Sequence, residues 1–346
     1  MDFSRINRRR VLAAAAVASS MLAGPSGAAG PRADKGKVHL VVGGQTTFHH
    51  LPLVLADQLG YFRSEGLSVE ITDAGSPARA LQLMADGGFD VCAGSFEHTL
   101  MLQGRGQLHQ AFVVQARTPQ AAFGLSMRGS VREIADLRGK RIGLAQAGTV
   151  DAMVATQVLA RAGLRPDEVN LIELGPSTSA VTAVRSGVVD ALSHFDPVMT
   201  MLEQRGEVKI LADTRTTRGT LELFGAMLPS SCLHATAEFV QKNPSICQAL
   251  AHAVVHALKW LQTAGPGDLI KTVPDHYFQG DRALYLASFM KVRGSMSPDG
   301  LMPPDGAQAA LQALLGLNPA LRVDRAGLLR SYTNEFARRA KDRFKA

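Results

Sequence analysis

Val38-His39-Leu40-Val41-Val42-Gly43-Gly44-Gln45-Thr46-Thr47-Phe48-His49-His50-Leu51-Pro52-Leu53-Val54-Leu55-Ala56 is the stretch on which the reading of this chain turns. Its first five residues are valine-rich, alternate weakly and end at glycines, which predicts a buried parallel strand. The run from Leu51 to Phe62 predicts an amphipathic helix, with Pro52 in the first turn, where a missing N–H costs nothing. Strand, short polar loop and helix make the first half of a βαβ unit. A small ligand of such a unit sits beyond the strand's C-terminal end, against the helix N-terminus. Gln45, Thr46, Thr47, His49 and His50 gather polar groups at that place, although an ordinary polar loop would use the same residues.

Upstream, Arg8-Arg9-Arg10 precedes the alanine-rich run from Val11 to Ala18 and a small-residue tail. Basic head, apolar middle and small tail read as a secretory signal over residues 1–29, cleaved after Ala28 or Ala29. The arginine run resembles a twin-arginine signal. The apolar segment, interrupted by Gly24 and Pro25, is too short for a stable membrane span. The protein is therefore expected in the periplasm. The chain carries a net charge of +7, and removal of the signal leaves about +4. Its Lys and Arg are scattered apart from the cluster Arg338, Arg339, Lys341, Arg343 and Lys345 near the C-terminus, which suits a solvated helix end. With 5% aromatic residues, stacking platforms for bases are missing too, so no nucleic-acid partner is expected. Three widely spaced cysteines, Cys92, Cys232 and Cys247, exclude a Cys-rich zinc pattern; Cys232 and Cys247 either pair or stay as buried thiols.

Downstream, strand and helix signals alternate. Leu67–Ile71 reads as a strand, and Ser76-Pro77 caps a helix running to Met84. Asp90–Gly94 is a strand, Ser95–His98 opens a helix, and Ala111–Ala116 is a strand. A second series runs through strands at Phe123–Met127, Ile142–Ala145, Val169–Leu174, Val188–Leu192 and Val208–Ala212. Its helices start near Val150, at Ser177 and at His194-Phe195-Asp196-Pro197. From Ala235 onward the signal is almost purely helical, with Asn243-Pro244-Ser245 as a start inside a long helix and a last helix over Arg325–Phe344. The β-α-β-α-β order predicts an α/β fold with right-handed crossovers. About 315 mature residues exceed one core, so two lobes are expected.

Thr46–Leu55 with Gly60-Tyr61-Phe62 and Glu65-Gly66-Leu67 resembles the opening of the nitrate/sulfonate/taurine-binding family, the substrate-binding proteins of ABC importers. Gly75-Ser76-Pro77-Ala78, Gly87–Val91 with Gly94-Ser95, Asp136–Gly143, Gly187–Ala191 and Asp196-Pro197 continue the resemblance in the same order over residues 38–260. It implies a two-lobed periplasmic-binding-protein-like fold of mostly parallel sheets with a helical C-terminal part. Lobe 1 would hold 38–118 plus 219–346 and lobe 2 would hold 119–218. Hinge closure on a small organic anion follows, with delivery to an ABC permease by a monomer. By position in the motif order, five loops would meet the ligand. They offer Gln45, Thr46, His49, His50, Ser76, Ser95, Phe96, Glu97, Thr149, His194 and Asp196 as ligand-binding residues.

The same residues admit three other readings. Adjacent histidines such as His49-His50 rarely chelate one ion, and no carboxylate partner stands near them, so no metal is expected. Gly143–Gly148 lacks the third glycine and the ribose-binding acid of a dinucleotide loop, so no cofactor is expected. Glu97 with Asp196 would suit acid–base chemistry, and the family has enzyme-like relatives working on pyrimidine precursors; a binding protein, by contrast, returns its ligand unchanged. Pyrimidine-type nitrogen heterocycles thus stand as the alternative ligand class, and a sensor for a membrane partner as a third role. Replacing Arg9 and Arg10 by lysine should hold the chain in the cytoplasm, read by cell fractionation; unchanged export would assign it to the general secretory route.

Overall fold

Strand β1 (Gly36–Val42) lies between β2 (Leu67–Asp73) and β3 (Val91–Gly94) and runs parallel to both. Its side chains alternate between exposed and buried as far as Leu40 and are buried from there to Val42. The computed structural model describes residues 36–146, 148–175 and 177–346. The signal segment read at 1–29 lies outside the described residues. Helix α1 (Leu51–Gln58) begins with Pro52 in its first turn, as the sequence predicts. It is not amphipathic, however: every residue from Leu51 to Ala56 is buried in the core around the first sheet. Gly60, at φ 72°, ends that run, and a short α2 (Tyr61–Ser64) follows. A side chain other than glycine would be strained in this left-handed conformation.

After β2 comes α3 (Pro77–Ala85), capped by the Ser76 hydroxyl, which accepts from the Arg79 N–H at 3.3 Å. After β3 comes α4 (Phe96–Gly104), and then β4 (His109–Ala116). The chain crosses through residues 117–120 to a second sheet. That sheet is built from β5 (Ala121–Ser126), β6 (Arg141–Leu144), β7 (Asn170–Glu173), β8 (Ala191–Phe195) and β9 (Val208–Asp213). Between these strands run α5 (Val150–Arg161), α6 (Ser177–Arg185) and α7 (Val198–Gln204), and α8 (Thr217–Phe224) follows β9. The chain returns to the first sheet as β10 (Ser231–Thr236).

The two sheets have matching orders, β2-β1-β3-β10-β4 and β7-β6-β8-β5-β9. In each, three strands are parallel, and the fourth position is antiparallel to both neighbours. The sheets are therefore mixed, with four of the five strands in each running the same way and one, β10 or β5, reversed. The antiparallel strands β10 and β5 are the ones that carry the chain back and forth. The two crossings are tied together: the Ser230 N–H donates to Ala116 O, the Gln120 N–H to Thr214 O, and the Ser230 hydroxyl to Thr118 O at 2.6 Å.

Several elements depart from the sequence reading. β8 starts at Ala191, three residues later than expected, because Val188 and Val189 sit in the turn after α6. β10 falls where the sequence reading assigns no strand, at the start of the part read as helical from Ala235. Arg325–Phe344 is broken into two helices. The helices of the C-terminal part are α9 (Ala237–Lys242), α10 (Pro244–Thr263), α11 (Pro266–Thr272), α12 (Arg282–Val292), α13 (Gly306–Leu317), α14 (Arg325–Arg330) and α15 (Glu335–Phe344). α10 packs on α1 and α15 in the core of the first sheet. α8 packs on α5 and β9, so a boundary at 218 cuts through a helix that belongs with the second sheet. α13 lies against both α4 and α5, and Ala307, Ala310 and Leu314 share one core with Phe96, Leu100, Val150 and Met153. The three cysteines are buried free thiols.

The central place of β10 gives a test. Leu233 is fully buried in it, with partners on both sides. Leu233→Ala should lower stability by about 2–5 kcal/mol, the usual cost of such a truncation in a packed core, measured by urea unfolding.

Candidate cleft between the two sheets

All six parallel strands bring their C-terminal ends to one cavity of about 520 Å³. From the first sheet, the loop after β1 contributes His49 and His50, the start of α3 contributes Ser76, and the start of α4 contributes Ser95 and His98. From the second sheet come Thr149, Glu173, His194, Phe195 and Asp196. Ser230 and Ser231, at the return crossing, complete the lining.

The position of the first two loops follows from local chemistry. Asp73, the last residue of β2, accepts hydrogen bonds from the backbone N–H groups of Gly44 (2.9 Å), Gln45 (2.9 Å) and Gly75 (2.8 Å). At Gly43 a Cβ would stand 2.5 Å from the Ser76 carbonyl and the Pro77 nitrogen, so only glycine lets the loop close on the start of α3. His49 Nε2 lies 2.9 Å from Pro119 O on the outward crossing, and its ring meets Phe195 edge-on at 5.0 Å between centroids. One side chain thereby touches the first loop, the crossing and the second sheet.

Seven of the residues singled out from the sequence line the cavity: His49, His50, Ser76, Ser95, Thr149, His194 and Asp196. Four do not. Gln45 and Thr46 stand beside the lining, and the Gln45 N–H is taken up by Asp73. Phe96 points into the core shared with α13, and Glu97 is 1% exposed beneath the lining. Thr149 lines the cavity with its hydroxyl already engaged by Gln146 O, at 2.7 Å, and by the Asp151 carboxyl. Sequence reasoning missed His98, Glu173, Ser230 and Ser231. His98 lies three residues after Ser95, one helical turn along the same face, and that spacing was the available signal. The two serines belong to a crossing that no local pattern marks.

The lining is poor in positive charge. Among the described residues it contains no lysine or arginine, and two carboxylates, Glu173 and Asp196, face it. Burial favours the neutral form of its imidazoles. Burial lowers His49 to about 4, His98 to about 4 and His50 to about 3, with His49 adding to the last effect; burial also lowers His194. Asp196 Oδ1 accepts from the Thr200 N–H at 2.8 Å and from Arg215 Nη1 at 3.4 Å. Arg215 is fully buried and also pairs with Asp213 and Glu203. Burial pushes the Asp196 carboxyl up in spite of Arg215. Behind the lining, His109 Nδ1 stands 3.3 Å from His234 Nδ1. No group of His, Cys, Asp and Glu among the described residues is placed to hold a metal ion.

A sequence profile of the family described as NMT1/THI5-like matches residues 47–264, more than half of the chain. The chain belongs to the NMT1/THI5-like family. A solved structure from Bordetella bronchiseptica is 42% identical, with a TM-score of 0.81 over 90% of this chain and 98% of that one. The alkanesulfonate-binding protein SsuA from Xanthomonas axonopodis pv. citri, bound to MOPS, shares the fold at 19% identity, with a TM-score of 0.66 over 86% of this chain and 98% of that one. So does the periplasmic nitrate-binding protein NrtA from Synechocystis, at 14% identity and a TM-score of 0.70 over 90% and 89%. Among enzymes of the family, the 4-amino-5-hydroxymethyl-2-methylpyrimidine phosphate synthase of Schizosaccharomyces pombe is 26% identical over 155 residues, 44% of this chain and 43% of that enzyme. The match thus spans less than half of the synthase. This NMT1/THI5-like chain has the periplasmic-binding-protein fold, and no helix among its described residues is long and apolar enough to cross a membrane.

Glu97 supplies a prediction for this region. Burial pushes its carboxyl up to about 8, helped by the charge of Asp151 and opposed by the start of its own helix and the Ser95 hydroxyl. Its ordinary value is 4.5, so between pH 4.5 and 8 the folded protein keeps a proton that the unfolded chain has lost. Stability from this group is present at low pH and is lost as pH rises through that window. Glu97→Gln should flatten the fall and be more stable than the parent at pH 9 by on the order of 3 kcal/mol, read from urea unfolding at pH 5, 7 and 9.

Proposed function

We propose that this chain is an exported solute-binding protein of an ABC importer. It works in the periplasm as a monomer, closes two lobes built on the two sheets around a small organic molecule, and delivers that molecule unchanged to a permease. The observation that carries this reading is the single cavity to which all six parallel strands bring their C-terminal ends. Ligands of open α/β sheets bind at that end, and a cavity of about 520 Å³ lies in the range that encloses a small organic ligand.

Two ligand classes have separate support. The likeness to SsuA and NrtA favours a sulfonate, taurine or nitrate-like anion. The starts of α3, α4 and α5 at the cavity would offer such an anion free N–H groups and partial positive charge. The likeness to the pyrimidine phosphate synthase favours a pyrimidine-type nitrogen heterocycle, and a wall of neutral imidazoles suits it.

Closure is open to a direct test. A cognate solute at a hundredfold excess over its Kd should add about 2.7 kcal/mol of stability by mass action. It should also reduce the radius of gyration in small-angle scattering, and mass spectrometry should recover it unmodified. Superimposable scattering curves with and without a solute that raises Tm would remove lobe closure, and a chemically altered solute would make the chain an enzyme.

A further inference from the structure

Helix α12 touches both halves of the molecule. Its buried residues Tyr285, Phe289 and Val292 belong to the core of the first sheet. Tyr285 and Phe289 pack on Phe48, the residue before His49, with ring centroids 4.8 Å and 6.5 Å away. Near the other end of the helix, Lys291 Nζ lies 3.2 Å from both carboxylate oxygens of Glu203 on α7. α7 packs in the core of the second sheet through Val198, Met199 and Leu202. Among the described residues, no other side-chain hydrogen bond joins α12 to α7. One helix thus runs from the loop that carries His49 and His50 to the helix that follows Asp196.

An exposed lysine–carboxylate pair is ordinarily worth little, because two long side chains must be held in one geometry and water screens them. This pair differs in its acidic partner. Glu203 Oε2 is already held at 3.0 Å by Nη2 of the fully buried Arg215. The carboxylate is therefore fixed before the lysine reaches it, so less side-chain freedom is lost. The charges favour the contact as well. Asp196, Asp213 and Glu203 set three carboxylates against the one guanidinium of Arg215, a surplus of two negative charges when all are ionised. Lys291 lowers that surplus to one, and it does so from the side of the first sheet. The side chains of Lys291 and Glu203 are 40% and 32% exposed, so added salt reaches them.

The contact is also placed to govern movement. α12 ends at Val292, and the turn after it is bonded to the outward crossing. There the Arg117 N–H donates to Ser295 O at 2.9 Å, and Gln120 Nε2 donates to Ser295 Oγ at 2.7 Å. Lys291 stands just before that turn, close to the pivot between the sheets. A small shift beside a pivot is enlarged at the far ends of the two bodies it joins.

We propose that the Lys291–Glu203 pair is a salt-sensitive latch that holds the two sheets at the separation seen in this structure, with α12 as the strut and the Arg215 cluster as the anchor. Release of the pair frees the second sheet to swing about the crossings. This rests on the lobe-closing reading of the cleft and names the contact that sets its resting angle.

Spin labels on Asp86→Cys and Ser186→Cys, at exposed sites just past α3 and α6, report the separation of the sheets in the full mature chain with no solute added. The three native cysteines are buried and escape labelling. Pulsed dipolar spectroscopy should give a narrow distance distribution for the parent at about 0.1 M salt. For Lys291→Met the distribution should be about twice as wide or shifted by about 3 Å or more. Lys291→Arg should restore the parent distribution. Sodium chloride at about 1 M should broaden the parent toward the profile of Lys291→Met and leave that variant unchanged. The Tm of Lys291→Met should stay within about 4 °C of the parent, which separates a released latch from a loss of folding. A parent-like distribution for Lys291→Met would overturn the inference, as would equal broadening by Lys291→Arg. The lobe-closing reading fails separately, if a solute that raises Tm leaves the label distance of the parent unchanged.

Discussion

One carboxylate fixes the floor of the cleft. Asp73 ends β2 and takes backbone N–H groups from two different loops, those after β1 and β2. Charge-assisted bonds of this kind are among the stronger ones available to a loop. They draw the β1 loop down onto the start of α3, an approach so close that position 43 has no room for a side chain. The direction of the 48–50 turn, and with it the place of His49 and His50, depends on that closure. His49 then reaches the crossing at Pro119 and packs edge-on against Phe195 of the second sheet. A constraint inside the first sheet is in this way felt at the junction of the two.

The second wall is organised by a buried cation that the cavity does not see. Arg215 has no exposed surface and is held by three carboxylates, with Lys291 of α12 adding a further contact to Glu203 at 3.2 Å. Burying a guanidinium is tolerable only when such partners neutralise and hydrogen-bond it. The result is a lobe in which positive charge lies close to the cleft and is already spent on internal carboxylates. The histidines show the same economy on the other wall, because burial strips them of protons and leaves polar nitrogens without charge.

How much of this was legible in the sequence follows from the range of the forces involved. β1 to β3, Pro52 and the Ser76 cap are set by local preferences, and they were read correctly to within a few residues. β10 was not, because Ser231–Thr236 becomes a strand only by pairing with β3 and β4, more than a hundred residues earlier in the chain. β8 was placed too early because Val188 and Val189 look like a strand, whereas their backbone forms the turn that feeds it. In the cleft, loop order pointed to His49, His50, Ser76, Ser95, Thr149, His194 and Asp196. It failed for Gln45 and Thr46, beside the lining, and for Phe96 and Glu97, which α4 turns into the buried interior. Ser230 and Ser231 carry no motif at all; only the fold brings them to the lining.

α13 adds a mechanical consequence. Its alanines, with Leu311 and Leu314, lie in one core with Phe96 and Leu100 of α4 and with Val150 and Met153 of α5. A face of such small side chains has shallow ridges, so neighbouring helices can slide on it with little interlocking. Closure of the two lobes, in the function proposed above, would shear along α13 as well as bend at the paired crossings. Because this one helix packs on both α4 and α5, its apolar face would stay covered as they move.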